Sequence, residues 1–184
     1  MTKKLRKSDW LDFGLKRLVK SGPGALKAEP LAKAMKVSRG SFYWHFEDIE
    51  SFRRGILALW REKATQHVVY AVNDEPSSED SLCRLLSIAF TSELDMERAI
   101  RAWAMQDPDV SAIVEDVDAE RVEYIKSLLA EIGYEPDDAR MRAVFLYWAF
   151  LGQVSMPSVR GKGIDADGSA KMARLLLQRV DQAG

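Results

Sequence analysis

Apolar residues recur along this chain at intervals of three and four, and almost no segment alternates strictly between apolar and polar positions, so the pattern predicts an all-α protein. A first helix is expected from about Ser8 to Lys20, capped by Ser8 or Asp9, with Leu11, Leu15, Leu18 and Val19 on one face. Gly22-Pro23-Gly24 ends it. Two short helices follow, Ala28 to Met35 and Arg39 to about His45, with Ser38 as N-cap of the second. A much longer helix is expected from an Asp48 cap to about Val72, carrying Ile49, Phe52, Ile56, Trp60, Ala64, His67 and Ala71 at helical spacing. Roughly 24 residues at 1.5 Å each span about 36 Å, enough to leave one compact unit and enter another.

Asn73 to Ser78 reads as a polar loop, and Ser77 with Asp80 has the spacing of a capping box for a helix striped by Leu82, Leu85, Leu86, Ala89 and Phe90. A shorter helix spans about Met96 to Met105. Asp107-Pro108 and Glu135-Pro136 each put a cap and a proline at a helix start. The first of these helices runs to Gly133 through Val110, Val114, Val117, Arg121, Tyr124 and Leu128, and the second covers about Asp137 to Ser155. The run Ala143 to Leu151 inside it is apolar on every side, which demands burial all round, in the domain core or against another subunit. Pro157 to Gly168 reads as a loop, and Ser169 opens a last helix with Met172, Leu175, Leu176 and Val180.

Composition adds exclusions. With 184 residues, 47% apolar and 30% charged, the chain is an ordinary globular one and neither disordered, collagen-like nor a disulfide framework. The single Cys83 lies in an apolar stripe, fits a reducing compartment and cannot form an internal disulfide. No run approaches the 18 or so apolar residues of a membrane span, and basic Met1 to Lys7 leads into no secretory apolar stretch, so a soluble, cytoplasmic protein without membrane association is expected.

Charge changes the picture when it is counted by position. The net charge of −1 conceals 15 Lys and Arg against 7 Asp and Glu in residues 1 to 63, and 12 against 21 in residues 64 to 184. A surplus of +8 followed by −9 suggests a head that meets a polyanion and a body that does something else; the bland alternative is two differently solvated surfaces.

Two short helices across a tight turn, inside the basic third, match a helix-turn-helix, whose second helix lies in the DNA major groove. Such a helix needs a small, polar N-terminal end to approach base edges, an inward anchor, and basic or hydroxyl groups for flanking phosphates. Ser38, Arg39, Gly40 and Ser41 supply the first, Val37, Phe42 and Phe46 the second, and Tyr43, His45 and neighbouring basic residues the third.

The stretch Leu31 to Phe46 closely resembles the helix-turn-helix signature of the TetR family of bacterial transcriptional regulators, in Val37-Ser38 and in Tyr43 followed two positions on by His45-Phe46. The resemblance covers about Ser8 to Leu57; beyond it only helix count and length are similar. It implies that Ser38, Arg39, Gly40 and Ser41 read bases, that Tyr43 contacts a phosphate, and that His45 lies on the same exposed side. Lys27 stands where the family has a hydroxyl residue touching a phosphate, and Trp44 packs over the DNA backbone or on the first helix. Two positions depart from the pattern. Lys36 occupies a turn position that is usually Gly, and Ile49, beside Glu47, Asp48 and Glu50, replaces a phosphate-holding lysine, a loss the basic residues Lys3, Lys4, Arg6 and Lys7 could offset.

The resemblance divides the chain into a DNA-binding domain, 1–52, and an effector-binding and dimerisation domain, 53–184. It implies a small-molecule effector among the middle helices, with Trp60, His67, Trp103 and Gln153 as polar contacts in an apolar wall. It also implies a homodimer pairing through the last two helices, for which Phe145, Trp148, Met172, Leu175 and Leu176 are the candidates. A two-fold dimer suits a palindromic double-stranded operator with half-sites roughly 34 to 36 Å apart. No catalytic constellation, metal framework or cofactor motif stands out: His45 and His67 are isolated, and Asp165-Ala166-Asp167-Gly168 lacks the remaining ligand spacing of a calcium loop. The expectation is a regulator, and specifically a repressor released by its effector through movement of the helix after Asp48. The competing class is a helical small-molecule-binding protein or enzyme whose basic third contacts a protein partner.

Overall fold

A computed structural model of the chain describes residues 5–156 and 165–177. Lys3, Lys4, Val180 and most of the loop expected from Pro157 lie outside the described residues. Within them all regular structure is helical. The elements are α1 (Lys7–Ser21), a 3-10 turn (Pro23–Ala25), α2 (Ala28–Ala34), α3 (Arg39–Tyr43), α4 (Ile49–Arg61), a π-helical turn (Glu62–Gln66), α5 (His67–Asn73), α6 (Ser78–Thr91), α7 (Asp95–Ala104), α8 (Pro108–Glu131), α9 (Pro136–Ser155) and α10 (Ala166–Leu177).

The helix starts follow the caps, with three adjustments. Arg6, not Ser8 or Asp9, is the N-cap of α1, because Asp9 sits three residues into the cap and its Oδ2 accepts the Arg6 backbone N–H at 2.7 Å. The Ser38 side chain makes no capping hydrogen bond, so that cap is set by backbone alone. Asp165 Oδ1 accepts the Gly168 N–H at 2.8 Å, which starts α10 three residues ahead of Ser169. Asp48 and Ser51 form the expected start of α4, with Ser51 N–H donating to Asp48 Oδ1 at 2.6 Å. Asp80 N–H donates to Ser77 Oγ at 3.1 Å at the start of α6.

The long helix after Asp48 is realised as α4, the π-turn and α5. A π-turn inserts one residue and rotates everything after it. Inward positions therefore run Phe52, Ile56 and Trp60, then Thr65, Val68 and Val72, and the expected inward residues His67 and Ala71 are exposed.

The chain forms two compact units. One reaches to Ala64 and takes in Leu94–Glu115; the other is Thr65–Glu93 with the chain from Asp116 onward. In the first, α1 packs on α4 and α7. Its core is aromatic: Trp10, Phe42, Phe52 and Trp60 are fully buried and Phe46 and Trp103 nearly so. Two glycines let α1 and α4 approach. A Cβ on Gly14 would overlap Phe52, and one on Gly55 would lie 2.8 Å from Leu11 Cδ2. Val19, expected on the inward face of α1, is exposed, since the row Leu11, Leu15 and Leu18 already covers the contact.

In the second unit α6 packs against α5, α9 and α10 around Leu82, Leu86, Ile125, Leu129, Leu146 and Tyr147. Cys83 is half-buried beside this core, and burial, then Glu79 and Asp80, push its thiol above its ordinary range, which leaves an inert core group. Tyr134 donates to the Leu177 carbonyl at 2.7 Å and Arg142 to that of Leu176, fastening the C-terminal end of α10.

Candidate nucleic-acid interface

The turn between α2 and α3 has a defined closure. Val37 N–H reaches back to the Ala32 carbonyl at 3.0 Å and Lys36 N–H to that of Lys33 at 3.2 Å, the paired bonds of a Schellman ending. That ending requires a left-handed residue at Lys36, and its φ is 58°. Lysine holds a conformation that glycine adopts freely, at a cost of about 1 kcal/mol. Lys36 is thus a strained position within the usual turn rather than the mark of a different one.

Past the turn, α3 is a single short helix fastened by one side chain. Phe42 is fully buried and meets Trp10 (ring centroids 5.4 Å apart), Phe46 (5.1 Å) and Phe52 (5.3 Å), so α1, α3 and α4 converge on it. The pairs with Trp10 and Phe52 are edge-to-face, and such pairs add about 0.5 to 1.5 kcal/mol each to the burial of the rings. Val37 is half-buried.

The opposite face is left open. Ser38, Arg39 and Gly40 are exposed and Ser41 is half-buried. Arg39 Nη2 donates to the Tyr43 hydroxyl at 3.1 Å, and its guanidinium lies 5.5 Å from the Tyr43 ring centroid. That hydrogen bond, chiefly, raises the Arg39 pKa further and keeps the group charged. Tyr43 is 45% exposed and Trp44 87%. Trp44 therefore does not pack on the first helix; Trp10 of that helix meets Phe42 instead. Lys27 is exposed at the N-cap of α2. At the start of α4, Ile49 is half-buried, Glu50 pairs with Arg53 at 2.9 Å, and the backbone N–H of Ser51 holds the Asp48 carboxyl below its ordinary pKa.

His45 differs from the rest of this surface. It is half-buried, and its Nε2–H donates to the Leu5 carbonyl at 2.9 Å.

The four residues expected to face an effector are divided between the units. Trp60 is fully buried in the first and donates through Nε1 to Glu97 Oε2 at 2.9 Å; Glu97 also pairs with Arg101 at 2.8 Å. Trp103, in the same unit, donates to Asp107 Oδ2 at 3.3 Å. In the second unit His67 is exposed and Gln153 Nε2 donates to the Phe90 carbonyl at 3.0 Å. Sequence reasoning missed the buried carboxylate of Glu97, although it stands three residues before Ile100 and six before Trp103, in line with their apolar row. It also missed a network in the second unit. Arg121 Nε donates to Thr65 Oγ1 at 3.0 Å, Arg121 Nη1 to the Tyr147 hydroxyl at 3.3 Å, and Tyr147 to Asp118 Oδ1 at 2.6 Å. Arg121 interrupting the row Val114, Val117, Tyr124 was the signal.

The run Ala143 to Leu151 is not buried all round within the chain. Ala143, Leu146 and Tyr147 face the core, whereas Met141, Phe145 (60% exposed) and Trp148 (66% exposed) form an open stripe at spacings of four and three. Met172 and Leu175 of α10 are exposed too, and Leu176 packs partly on the core.

No family model and no curated protein matches the sequence. Solved structures do. A putative TetR-family transcriptional regulator from Rhodococcus sp. aligns over 97% of this chain and 100% of its own, with a TM-score of 0.66 at 14% identity. The ketosteroid transcriptional regulator of Mycobacterium tuberculosis aligns over 94% and 93%, with a TM-score of 0.63 at 19% identity. A putative transcriptional regulator from Saccharomonospora viridis, solved in complex with choline, aligns over 95% and 96%, with a TM-score of 0.69 at 12% identity. The chain shares the all-α fold of these regulators.

Proposed function

We propose that this chain is a TetR-like transcriptional regulator that binds a palindromic operator in double-stranded DNA as a homodimer and is released by a small-molecule effector. The observation that carries the reading is α3, a helix anchored by Phe42 alone that turns Ser38, Arg39, Gly40, Tyr43 and Trp44 outward from a basic head. A short helix with its apolar side locked and its polar side empty is what entry into a major groove requires. Arg39 is braced against Tyr43, which orients the guanidinium for bidentate pairing with guanine. The fold shared with solved regulators supports the same reading, and favours it over an enzyme or a protein-docking module.

The open stripe on α9 and the exposed Met172 and Leu175 on α10 support pairing of two copies through Phe145, Trp148, Met172, Leu175 and Leu176. Among the described residues no helix is long and apolar enough to cross a membrane, which accords with a cytoplasmic regulator. The choline complex of the Saccharomonospora protein supports a small-molecule effector for this chain. Release requires the effector to favour a state in which the recognition helices no longer fit successive grooves, with the helix from Asp48 as the moving element.

The test is binding to duplex DNA across a salt series, followed by footprinting on the DNA flanking the gene. A regulator loses affinity steeply with salt and protects a palindrome. Arg39→Ala is expected to lower discrimination at one base pair of each half-site by about 5- to 150-fold. Footprints unchanged by Arg39→Ala and Tyr43→Phe, or duplex binding insensitive to salt, would sink the reading.

A further inference from the structure

The His45 imidazole is committed within the protein. Its Nε2–H donates to the carbonyl of Leu5, forty residues away in sequence, at 2.9 Å. Leu5 lies before α1, and the carbonyls that begin the hydrogen-bonding of that helix start with Arg6. The bond therefore adds nothing to the helix and fastens the chain ahead of it. Two further interactions set the course of this segment. Arg6 N–H is held by Asp9 Oδ2 at 2.7 Å, and Lys7 Nζ lies 5.4 Å from the centroid of the Phe46 ring, next to His45. The Arg6 side chain is 81% exposed, and its pairing with Asp9 at 3.6 Å is a weak, screened interaction that a phosphate can replace.

The cations matter because of what the neighbouring surface lacks. At the start of α4 stand Glu47, Asp48 and Glu50, with Ile49 half-buried, Arg53 turned to Glu50 and Arg54 close enough to act on Asp48, so that flank carries no basic surplus. The segment fastened by His45 carries Arg6 and Lys7, and the sequence places Lys3 and Lys4 just ahead, outside the described residues. Arg6 and Lys7 are both exposed.

Resting on the DNA-binding reading above, we infer that His45 is a positioning residue that holds the chain from Leu5 to Lys7 beside the recognition helix, where Arg6 and Lys7 neutralise DNA phosphates. His45 acts on DNA through Leu5 and the segment, not by touching the duplex itself. This departs from the role that resemblance assigned to it. An Nε2 proton given to a peptide carbonyl is not offered to a phosphate.

A double-mutant cycle on the full chain tests this, with fluorescence anisotropy on random-sequence duplex DNA over a salt series. Neutralising the segment with Arg6→Ala and Lys7→Ala is expected to lower the salt slope by about 0.9 for each phosphate left without its cation. His45→Ala or His45→Phe, whichever melts as the unsubstituted protein does, is expected to weaken binding roughly threefold or more and to lower the slope. The same change in the neutralised background is expected to alter neither, the non-additivity of residues that act as one unit. His45→Gln, whose amide N–H can donate to the Leu5 carbonyl, should recover most of the affinity. Equal losses in both backgrounds would show that His45 touches DNA itself, and no loss in either would show that the bond positions nothing; each overturns the inference while leaving the regulator reading intact. An unsubstituted protein without salt-sensitive duplex binding overturns both.

Discussion

The two compact units solve opposite problems with aromatic side chains. In the unit that holds the helix-turn-helix, Trp10, Phe42, Phe52 and Trp60 are fully buried, and the exposed Tyr43 and Trp44 belong to the candidate DNA-facing helix. In the other unit Phe145 and Trp148 stand open on α9 while Arg121, Thr65 and Tyr147 take hydrogen bonds in its partly buried interior. A helix of five residues has too few positions to hold itself, so one ring must fasten it from three directions. The second unit has long helices with surface to spare. It leaves one apolar stripe open and places polar groups inside. Burial measures anchoring in the first unit, and the open stripe of the second is its proposed pairing surface.

The contrast between the units is most vulnerable at its two aromatic centres. Phe42→Ala removes the anchor of α3 and is expected to cost about 3 to 5 kcal/mol of folding stability, read by chemical denaturation. A cost near zero would mean that α3 is not held by the aromatic cluster. Trp148→Ser should behave in the reverse way. Its side chain is already exposed in the single chain, so monomer stability is expected to change within about 0.5 kcal/mol. Dimerisation is expected to weaken by about 2 kcal/mol or more, seen as a shift to monomer in sedimentation. An undisturbed dimer would remove α9 from the proposed pairing surface.

Smaller changes probe how the head itself is held. Lys36→Gly relieves the left-handed turn and is expected to stabilise the protein by about 1 kcal/mol, a gain measurable as a raised melting temperature. Asp48 provides the least effect. Its carboxyl, held low by the Ser51 N–H, adds stability in full above the unfolded carboxylate value of about 3.9 and loses it as pH falls through the lower folded value. Asp48→Asn keeps a cap but cannot titrate. Melting curves of the two proteins should therefore run parallel above about pH 4 and converge or cross only below it. A divergence that opens near neutral pH would assign the effect to another group.

Much of this was legible along the chain because helices and caps are local. The α2 and α3 pair, the Asp48 cap and the proline starts of α8 and α9 each follow from a few neighbouring residues, whereas Lys36, whose φ is 58°, stood out only as a departure from the family pattern. The stretch after Trp60 was misjudged because a π-turn leaves no mark in hydrophobic spacing. One inserted residue moved His67 and Ala71 outward and brought Thr65 inward. Glu97 escaped notice for a related reason. A carboxylate reads as a surface group until its partners, Trp60 and Arg101, are known, and Trp60 lies 37 residues away.

The all-α class, the helix-turn-helix and the split between a basic head and an acidic body are already written in the order of the residues. Periodicity, capping and charge act over a few residues, or sum over many, and need no knowledge of what folds against what. Which faces stay open is a matter for the folded chain alone. Phe42 stands in a largely polar stretch and is buried, while Phe145 stands in the all-apolar run and faces solvent, because burial depends on which distant segments close over a side chain. The same holds for His45. The resemblance put it on the exposed side with Tyr43, and the return of Leu5 to meet its Nε2 leaves it half-buried.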